Sequence, residues 1–250
     1  MSGLPAQAAP PSVHIEDLTW TELRDAQREG FTTVIVPIGG TEQNGPHMAL
    51  GKHNARVRVL AGRIAAELGT AVVAPVLAYV PESAGHMRFP GSIDAPDDAF
   101  SALLAGAARS FQGQGFRDVV LIGDSGDYQG LLQALATKLN AEWKARPARA
   151  HYIGAYYREA MADYRSELKA RGLSEQEIGV HAGVADTALL MATAPAMVRP
   201  GQLAAAQRGS PDNGVTGDPR AATPALGQIG VDLIVRKTVA KIRTALAEPR

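Results

Sequence analysis

Val34-Ile35-Val36-Pro37-Ile38-Gly39-Gly40-Thr41-Glu42-Gln43-Asn44-Gly45-Pro46-His47-Met48-Ala49-Leu50-Gly51-Lys52-His53-Asn54 is the stretch that decides the fold. Its first five residues are apolar and largely β-branched, as in a strand buried on both faces. Gly39-Gly40 ends the strand, because glycine accepts backbone angles that other residues avoid. Glu42, Asn44, His47 and His53 follow at once. A carboxylate and imidazoles on a loop at the carboxyl end of a buried strand stand where open α/β sheets place their ligands. Glu and His are also donor types that zinc and manganese favour.

Working outward, the same strand-then-helix grammar repeats. Thr19 and Glu22 form a capping box for a helix beginning near Trp20. The first strand is expected at Thr33–Ile38 and an amphipathic helix at Ala55–Leu68, closed by Gly69. Ala71–Ala74 reads as a strand and Pro96–Gln112 as a helix. Asp118–Ile122 reads as a strand and Gln129–Ala145 as a helix. Ala150–Gly154 is a fourth strand, followed by helices at Tyr156–Ala170 and Ala225–Leu246. Alternation of this kind predicts an α/β fold: a three-layer α/β/α sandwich around a mostly parallel sheet. Residues 15–250 are expected to form a single domain behind an Ala- and Pro-rich, disordered segment at 1–14.

Composition narrows the function classes. An apolar fraction of 46% supports a sizeable core, and 25 basic residues balance 25 acidic ones, so no electrostatic case exists for nucleic acid or an anionic membrane. No apolar run is long enough to span a bilayer. Cysteine is absent, which excludes disulfides, thiolate metal sites and a cysteine nucleophile. Ala6-Gln7-Ala8 looks like the small-residue end of a secretory signal, without the basic and apolar regions that precede one. A cytoplasmic protein with a floppy terminus and a periplasmic one with a signal removed ahead of Met1 both fit.

The opening stretch resembles the creatininase (creatinine amidohydrolase) family, whose usual form is close to Glu-Gln-His-Gly-Pro-His-Leu-Pro-Leu-Gly-Thr-Asp. Four further segments resemble the family in the family's order. They are His86-Met87-Arg88-Phe89-Pro90-Gly91-Ser92, Gly123-Asp124-Ser125-Gly126-Asp127-Tyr128, Gly179-Val180-His181-Ala182-Gly183-Val184-Ala185-Asp186-Thr187 and Gly214-Val215-Thr216-Gly217-Asp218-Pro219-Arg220-Ala221-Ala222-Thr223. The resemblance runs from about Leu18 to the last helix. It implies a creatininase-like fold and a metal-dependent amidohydrolase that acts on the C–N bond of a small amide, cyclic or formyl amides included. In the family the Glu, the first His and the final Asp of the opening motif hold two divalent metals, the Asp bridging them. This chain keeps the Glu as Glu42 but has Asn44 for the His and His53 for the Asp. Ser125 stands where a metal-binding His would be, and Asp127 where creatinine hydrolases have a Glu.

Carried over residue by residue, the resemblance implies Glu42, His53, Asp127 and Asp186 as metal ligands and His181 as the catalytic proton carrier. Asn44, His47, His86 and Ser125 are expected to bind substrate. That donor set suits one zinc, manganese or iron ion, since a neutral imidazole at position 53 cannot bridge two cations as a carboxylate does. The resemblance also implies a homo-oligomer, commonly a hexamer, with a small-molecule substrate. Creatinine itself is not expected, because creatinine hydrolases sandwich it between tryptophans and this chain has only Trp20 and Trp143.

Two other readings use the same residues. Gly123-Asp124-Ser125-Gly126-Asp127 is one residue short of a nucleophile elbow, so Ser125 is either a nucleophile activated by His181 or His53, or merely a helix cap. A non-catalytic member binding a small ligand in the old cleft also fits the loss of two family His ligands. In that case three carboxylates left without a metal need another positive partner, such as His53, to offset their repulsion.

Overall fold

The structure, a computed structural model, describes residues 9–207 and 212–249. Four strands, β1 (Thr33–Ile38), β2 (Ala71–Val73), β3 (Asp118–Gly123) and β4 (Arg149–Tyr152), form one sheet in the order β2-β1-β3-β4. Every pairing is parallel, with Thr33 opposite both Ala71 and Asp118, and Asp118 opposite Arg149. The helices are α1 (Trp20–Arg28), α2 (Lys52–Leu68), α3 (Asp97–Gly113), α4 (Gln129–Glu142), α5 (Arg158–Ala170), α6 (Glu175–Ile178), α7 (Val184–Thr193) and α8 (Pro224–Ala247). α2, α3 and α4 are the crossovers that parallel neighbours require.

Alternation along the strands sorts the chain into two cores. Ile35, Val120 and Ile122 point to one face, where Val57, Leu60 and Ile64 of α2 meet Tyr164 of α5, Leu189 of α7 and Val231 and Ile234 of α8. Val34, Val36, Ile38, Val119 and Leu121 point to the other, against Ala26 of α1, Phe100 and Leu104 of α3 and Leu132 and Leu139 of α4. The expected three-layer sandwich is therefore borne out. Pro37 fits a central strand because of where β2 stops. Thr33 and Gly39 send their N–H groups toward the β2 side, to Thr70 and Leu77, so the missing N–H of Pro37 faces the same way. The last β2 pair is Ile35 with Val73, and no ladder bond is lost at Pro37.

The sheet also sets the place for a site. From β1 the chain crosses to β2 on one side, and from β2 it returns to β3 on the other. The loops after β1 and β3 diverge over a crevice at the carboxyl ends of these strands, the usual binding position in open α/β sheets.

Element boundaries shift in informative ways. α2 begins at Lys52 rather than Ala55, which brings Lys52 and His53 into its first turn. α7, a helix inside the fourth of the five motifs, starts at Val184 directly after His181-Ala182-Gly183. The expected disordered segment at 1–14 lies outside the described residues over 1–8. Its last residues are attached: Val73 donates to Val13 O at 2.7 Å, and His14 forms a parallel bridge with Val73. Among the described residues no helix is long and apolar enough to cross a membrane.

α7 and α8 pack tightly where residue 227 has no side chain. A Cβ on Gly227 would lie 1.8 Å from Ala188 O and 2.9 Å from Ala192 Cβ. Gly227→Ala is expected to lower stability by about 1–3 kcal/mol. In a thermal melt that is a drop of about 2–4 °C per kcal/mol for a chain of this size; an unchanged midpoint means the two helices separate more freely than this crossing allows.

Candidate active site

Each of the two diverging loops brings acids or bases to the crevice. Asn44, 1% exposed, shapes the loop after β1: its Nδ2 donates to the carbonyls of Glu42 (2.9 Å), Ala49 (3.3 Å) and Leu50 (3.5 Å). His47 is fully buried and its Nε2 lies 2.9 Å from Thr187 Oγ1, tying the loop to α7. Burial, and then Lys52, push His47 down to about 4, so it stays neutral. Neither residue is among those lining the cavity, and the contacts of both build the loop. After β3, the hydroxyl of Tyr128 accepts from the N–H groups of Asp124 and Ser125 and fixes that turn.

His181 is held from two directions. Val180 N–H donates to Thr216 O, and Thr216 N–H donates to His181 O, joining the last two motifs as an antiparallel bridge. The approach needs glycine: a Cβ on Gly217 would stand 2.6 Å from the Gly183 Cα and 3.0 Å from the Gly179 Cα. The ring's Nε2 lies 2.9 Å from the Gln43 carbonyl and 3.0 Å from the Gln43 amide nitrogen. That leaves Nδ1 toward the cavity, 3.8 Å from Glu42 Oε1. Ala182, with φ of 56°, is a non-glycine residue in left-handed backbone, a kind of strain that collects at functional sites. Its N–H donates to Asp186 Oδ2 at 3.0 Å.

Below these loops the charged side chains close into a ring. Lys52 Nζ is 3.2 Å from Glu42 Oε1 and 3.4 Å from Asp186 Oδ2. Arg56 Nη1 donates to Asp186 Oδ1 at 2.9 Å, and its Nε donates to Asp124 Oδ2 at 2.8 Å. His53 completes the circuit, Nδ1 2.8 Å from Asp124 Oδ2 and Nε2 2.8 Å from Glu42 Oε1. Acid and base alternate at every step. Five of the six are at most 4% exposed, so each charge depends on its neighbours. Burial would raise Glu42, but Lys52 and His53 hold it well below the usual carboxylate range. Asp186 is likewise held low by Lys52 and Arg56 against the effect of burial. Burial and Lys52 both disfavour charge on His53, yet Glu42 and Asp124 outweigh them and raise its pKa. Tyr156 donates to the remaining Asp124 oxygen at 2.8 Å.

A cavity of about 160 Å3 opens above the ring, lined among others by Glu42, Lys52, His86, Ser125, Asp127 and His181. His86 Nδ1 lies 2.8 Å from Glu82 Oε1 and 3.0 Å from Glu42 Oε2. Its hydrogen bond to Glu42 is the largest cause that raises it to about 9. Burial, and then Glu42, raise Glu82 to about 7. The His86 and His181 rings face each other at 4.4 Å, and burial and Lys52 push His181 down to about 4.

The family model for creatininase, described as creatinine amidohydrolase, matches residues 16–242. The chain belongs to the creatininase family. A 3-dehydro-scyllo-inosose hydrolase of Thermotoga maritima is 26% identical over 145 residues, covering 54% of this chain and 46% of that protein. A mycofactocin precursor peptide peptidase of Mycolicibacterium smegmatis is 35% identical over 108 residues, 41% of this chain and 43% of its own length. The chain thus spans less than half the length of these relatives. Among solved structures, a mutant creatininase of Zn-Zn type superposes with a TM-score of 0.79 at 20% identity, covering 95% of this chain and 99% of that one. A structure described as creatininase Mn gives 0.78 at 20% identity, covering 95% and 100%. At these identities the structures establish the fold.

A carboxylate-bridged metal pair does not fit the residues present. His53 spends both nitrogens on carboxylates and Lys52 stands between Glu42 and Asp186, while Asn44 offers only an amide oxygen, buried and without a hydrogen-bond partner, which is a weaker donor than an imidazole. Asp127 sits exposed at the rim, away from the ring. Of the four expected ligands, Glu42, His53 and Asp186 come together, but as members of the ring. A single ion does fit elsewhere. Glu42, His86 and His181 each offer one ligand atom, all within 4.8 Å of one another. Two imidazoles and a carboxylate with an open position form a hydrolytic zinc donor set. Ser125 lines the cavity, where a substrate-binding residue is expected, but the contacts of a nucleophile and of a helix cap are both missing. Among the described residues its hydroxyl hydrogen-bonds to no imidazole, and α4 starts after Tyr128 without a side-chain cap.

Lys52, Arg56, Asp124 and Glu82 are the site residues that reading the sequence missed. The available signal was spacing: Lys52 and Arg56 stand four apart at the start of a helix, so they share one face. Attraction of roughly 5 kcal/mol per pair at about 3 Å and an effective dielectric of about 20 is largely offset by desolvation of several kcal/mol per ion. Removing one member is different, because it strands its partners. Arg56→Met, leaving Asp124 and Asp186 short of a cation, is expected to cost about 3–5 kcal/mol in urea unfolding. Arg56→Lys should cost less, keeping the charge and losing the two-pronged geometry. Equal midpoints for wild type and Arg56→Met would mean the ring does not hold the fold.

Proposed function

We propose that this chain hydrolyses the C–N bond of a small non-peptide amide in the cavity over the carboxyl ends of β1 and β3. The observation that carries the reading is the convergence of Glu42, His86 and His181 on that cavity. Its volume of about 160 Å3 suits a small substrate. Membership of the creatininase family, one relative named a hydrolase and one named a peptide peptidase support hydrolysis as the reaction class. One zinc or manganese ion held by these three residues would lower the pKa of a water it binds to about 7 and polarise an amide carbonyl.

This chain's own residues supply the rest. His181 is held by Gln43 with Nδ1 toward the cavity, and as a neutral imidazole it serves as a lone-pair donor rather than a proton carrier. Proton transfer falls to Asp127. Glu42 and Asp186, the other two carboxylates lining the cavity, are committed to the ring. Asp127 is outside it and reaches solvent at the rim. It takes a proton from the attacking water and returns one to the departing nitrogen, the two transfers that C–N hydrolysis needs. Trp20 is 74% exposed, Trp143 is buried against the other core, and neither lines the cavity. Creatinine therefore finds no tryptophan here and is expected to be turned over poorly or not at all. Assembly into a homo-oligomer belongs to the same reading and is measured by sedimentation.

Protein purified without chelator is expected to carry about one zinc or manganese per chain by elemental mass spectrometry, the donor set having room for one ion. It should hydrolyse members of a panel of small cyclic and formyl amides. Asp127→Asn should then lower kcat by about 10²–10⁴-fold while stability stays within about 0.5 kcal/mol, as for an exposed site. Full activity in Asp127→Asn removes that residue from the mechanism; metal-loaded protein inert toward every amide sinks the reaction assignment.

A further inference from the structure

Lys52 is an expensive residue to keep where it is. Its side chain is 1% exposed, and it opens α2, where the helix dipole disfavours a cation. Bringing an ammonium out of water costs several kcal/mol before any contact is made. The carboxylates it joins come from distant parts of the chain, Glu42 after β1 and Asp186 on α7. Each places an oxygen within 3.4 Å of the same nitrogen, beside a cavity that Lys52 itself lines. Two carboxylates converging on one point from separate elements are an arrangement that normally chelates a divalent ion. A mutant creatininase that shares the fold is described as of Zn-Zn type.

We propose that Lys52 is a built-in cation standing where a second divalent ion would otherwise be held between Glu42 and Asp186, so that the site operates with one exchangeable ion and one ammonium. This rests on Glu42, His86 and His181 as the one-ion set; the seat of Lys52 rests on geometry alone. An ammonium has three N–H donors. Ion pairs at 3.2 and 3.4 Å seat the nitrogen between Glu42 and Asp186, and on the cavity side an N–H can meet an oxygen, for which an amide carbonyl is the group that fits. Lys52 thereby contacts substrate as a fixed monovalent charge that chelators cannot remove.

The test counts ions. Wild type, Lys52→Met and Lys52→Arg are stripped with chelator, dialysed against excess Zn²⁺ or Mn²⁺, and analysed by elemental mass spectrometry. Melting temperatures are taken with and without metal. Wild type and Lys52→Arg should hold about one equivalent, and Lys52→Met about two, with a larger rise in melting temperature on adding metal, because an ion binding only the folded state stabilises it. Equal stoichiometry in wild type and Lys52→Met overturns the proposal, as does wild type holding two. If wild type holds none and Lys52→Met gains an ion, the built-in cation stands and the one-ion reading falls. Should Lys52→Met fail to fold with or without metal, the double variant Lys52→Thr, His53→Asp, which rebuilds the Thr-Asp pair of the motif, decides by the same count.

Discussion

The six-membered exchange of charge around the first turn of α2 is the constraint on which the candidate site depends. Glu42, Asp124 and Asp186 arrive from the loop after β1, the end of β3 and α7. Lys52, His53 and Arg56 arrive together, at positions i, i+1 and i+4 of one helix. Three acids from separate elements are thus referenced to a single rigid turn. The net stabilisation is modest, since Coulomb gain and desolvation nearly cancel in buried pairs. What the ring supplies is position: the carboxylate of Glu42 cannot rotate without breaking contacts to Lys52, His53 and His86 at once.

The fold makes this arrangement reachable. With β1 and β3 central and their connections departing to opposite sides, the loops beyond Ile38 and Gly123 separate, and α2 starts beneath the gap. The second half of the chain supplies the facing wall. His181 and Asp186 belong to one short segment whose backbone is clamped to Thr216 and packed through glycine, while α7 is pressed onto α8. The two halves meet where an imidazole from one faces a carboxylate from the other.

Much of the fold was legible in the sequence, because burial imposes period and punctuation. Val34–Ile38 and Asp118–Ile122 could be read as strands, Gly69 as a helix end, and five ordered motifs as one family. The crevice was legible too, since Glu42, His86, His181 and Asp186 do gather there. Roles were less so. His53 has the residue type of a ligand, and only the structure shows both its nitrogens committed to Asp124 and Glu42. Asn44 and His47 look like substrate groups, and the contacts they make are with the loop and α7. Lys52 and Arg56 carry no motif signature, and Lys52 falls ahead of the helix that the apolar pattern marks from Ala55. A motif tells which residue types stand near a site, but pairing in three dimensions decides which of them are spent on each other. The need for a positive partner among the carboxylates was foreseeable. Its identity depended on α2 starting three residues earlier than its apolar pattern suggests.

Charge balance then limits what the cavity can hold. The ring carries three carboxylates and three cations, Lys52, His53 and Arg56, and sums to zero. Outside it, Glu82 and Asp127 are the remaining carboxylates beside His86 and on the cavity wall. Ionised, they supply two negative charges, which one divalent ion would match once it displaces the proton that Glu42 and Glu82 favour on His86. A second divalent ion would leave an excess of two positive charges in a small cavity, where opposing charge is scarce and water screens poorly. Removing Lys52 reduces that excess by one and frees two carboxylate oxygens at the same point. The number of exchangeable ions is therefore tied to the side chain at position 52, and through it to the opening motif that also ends β1.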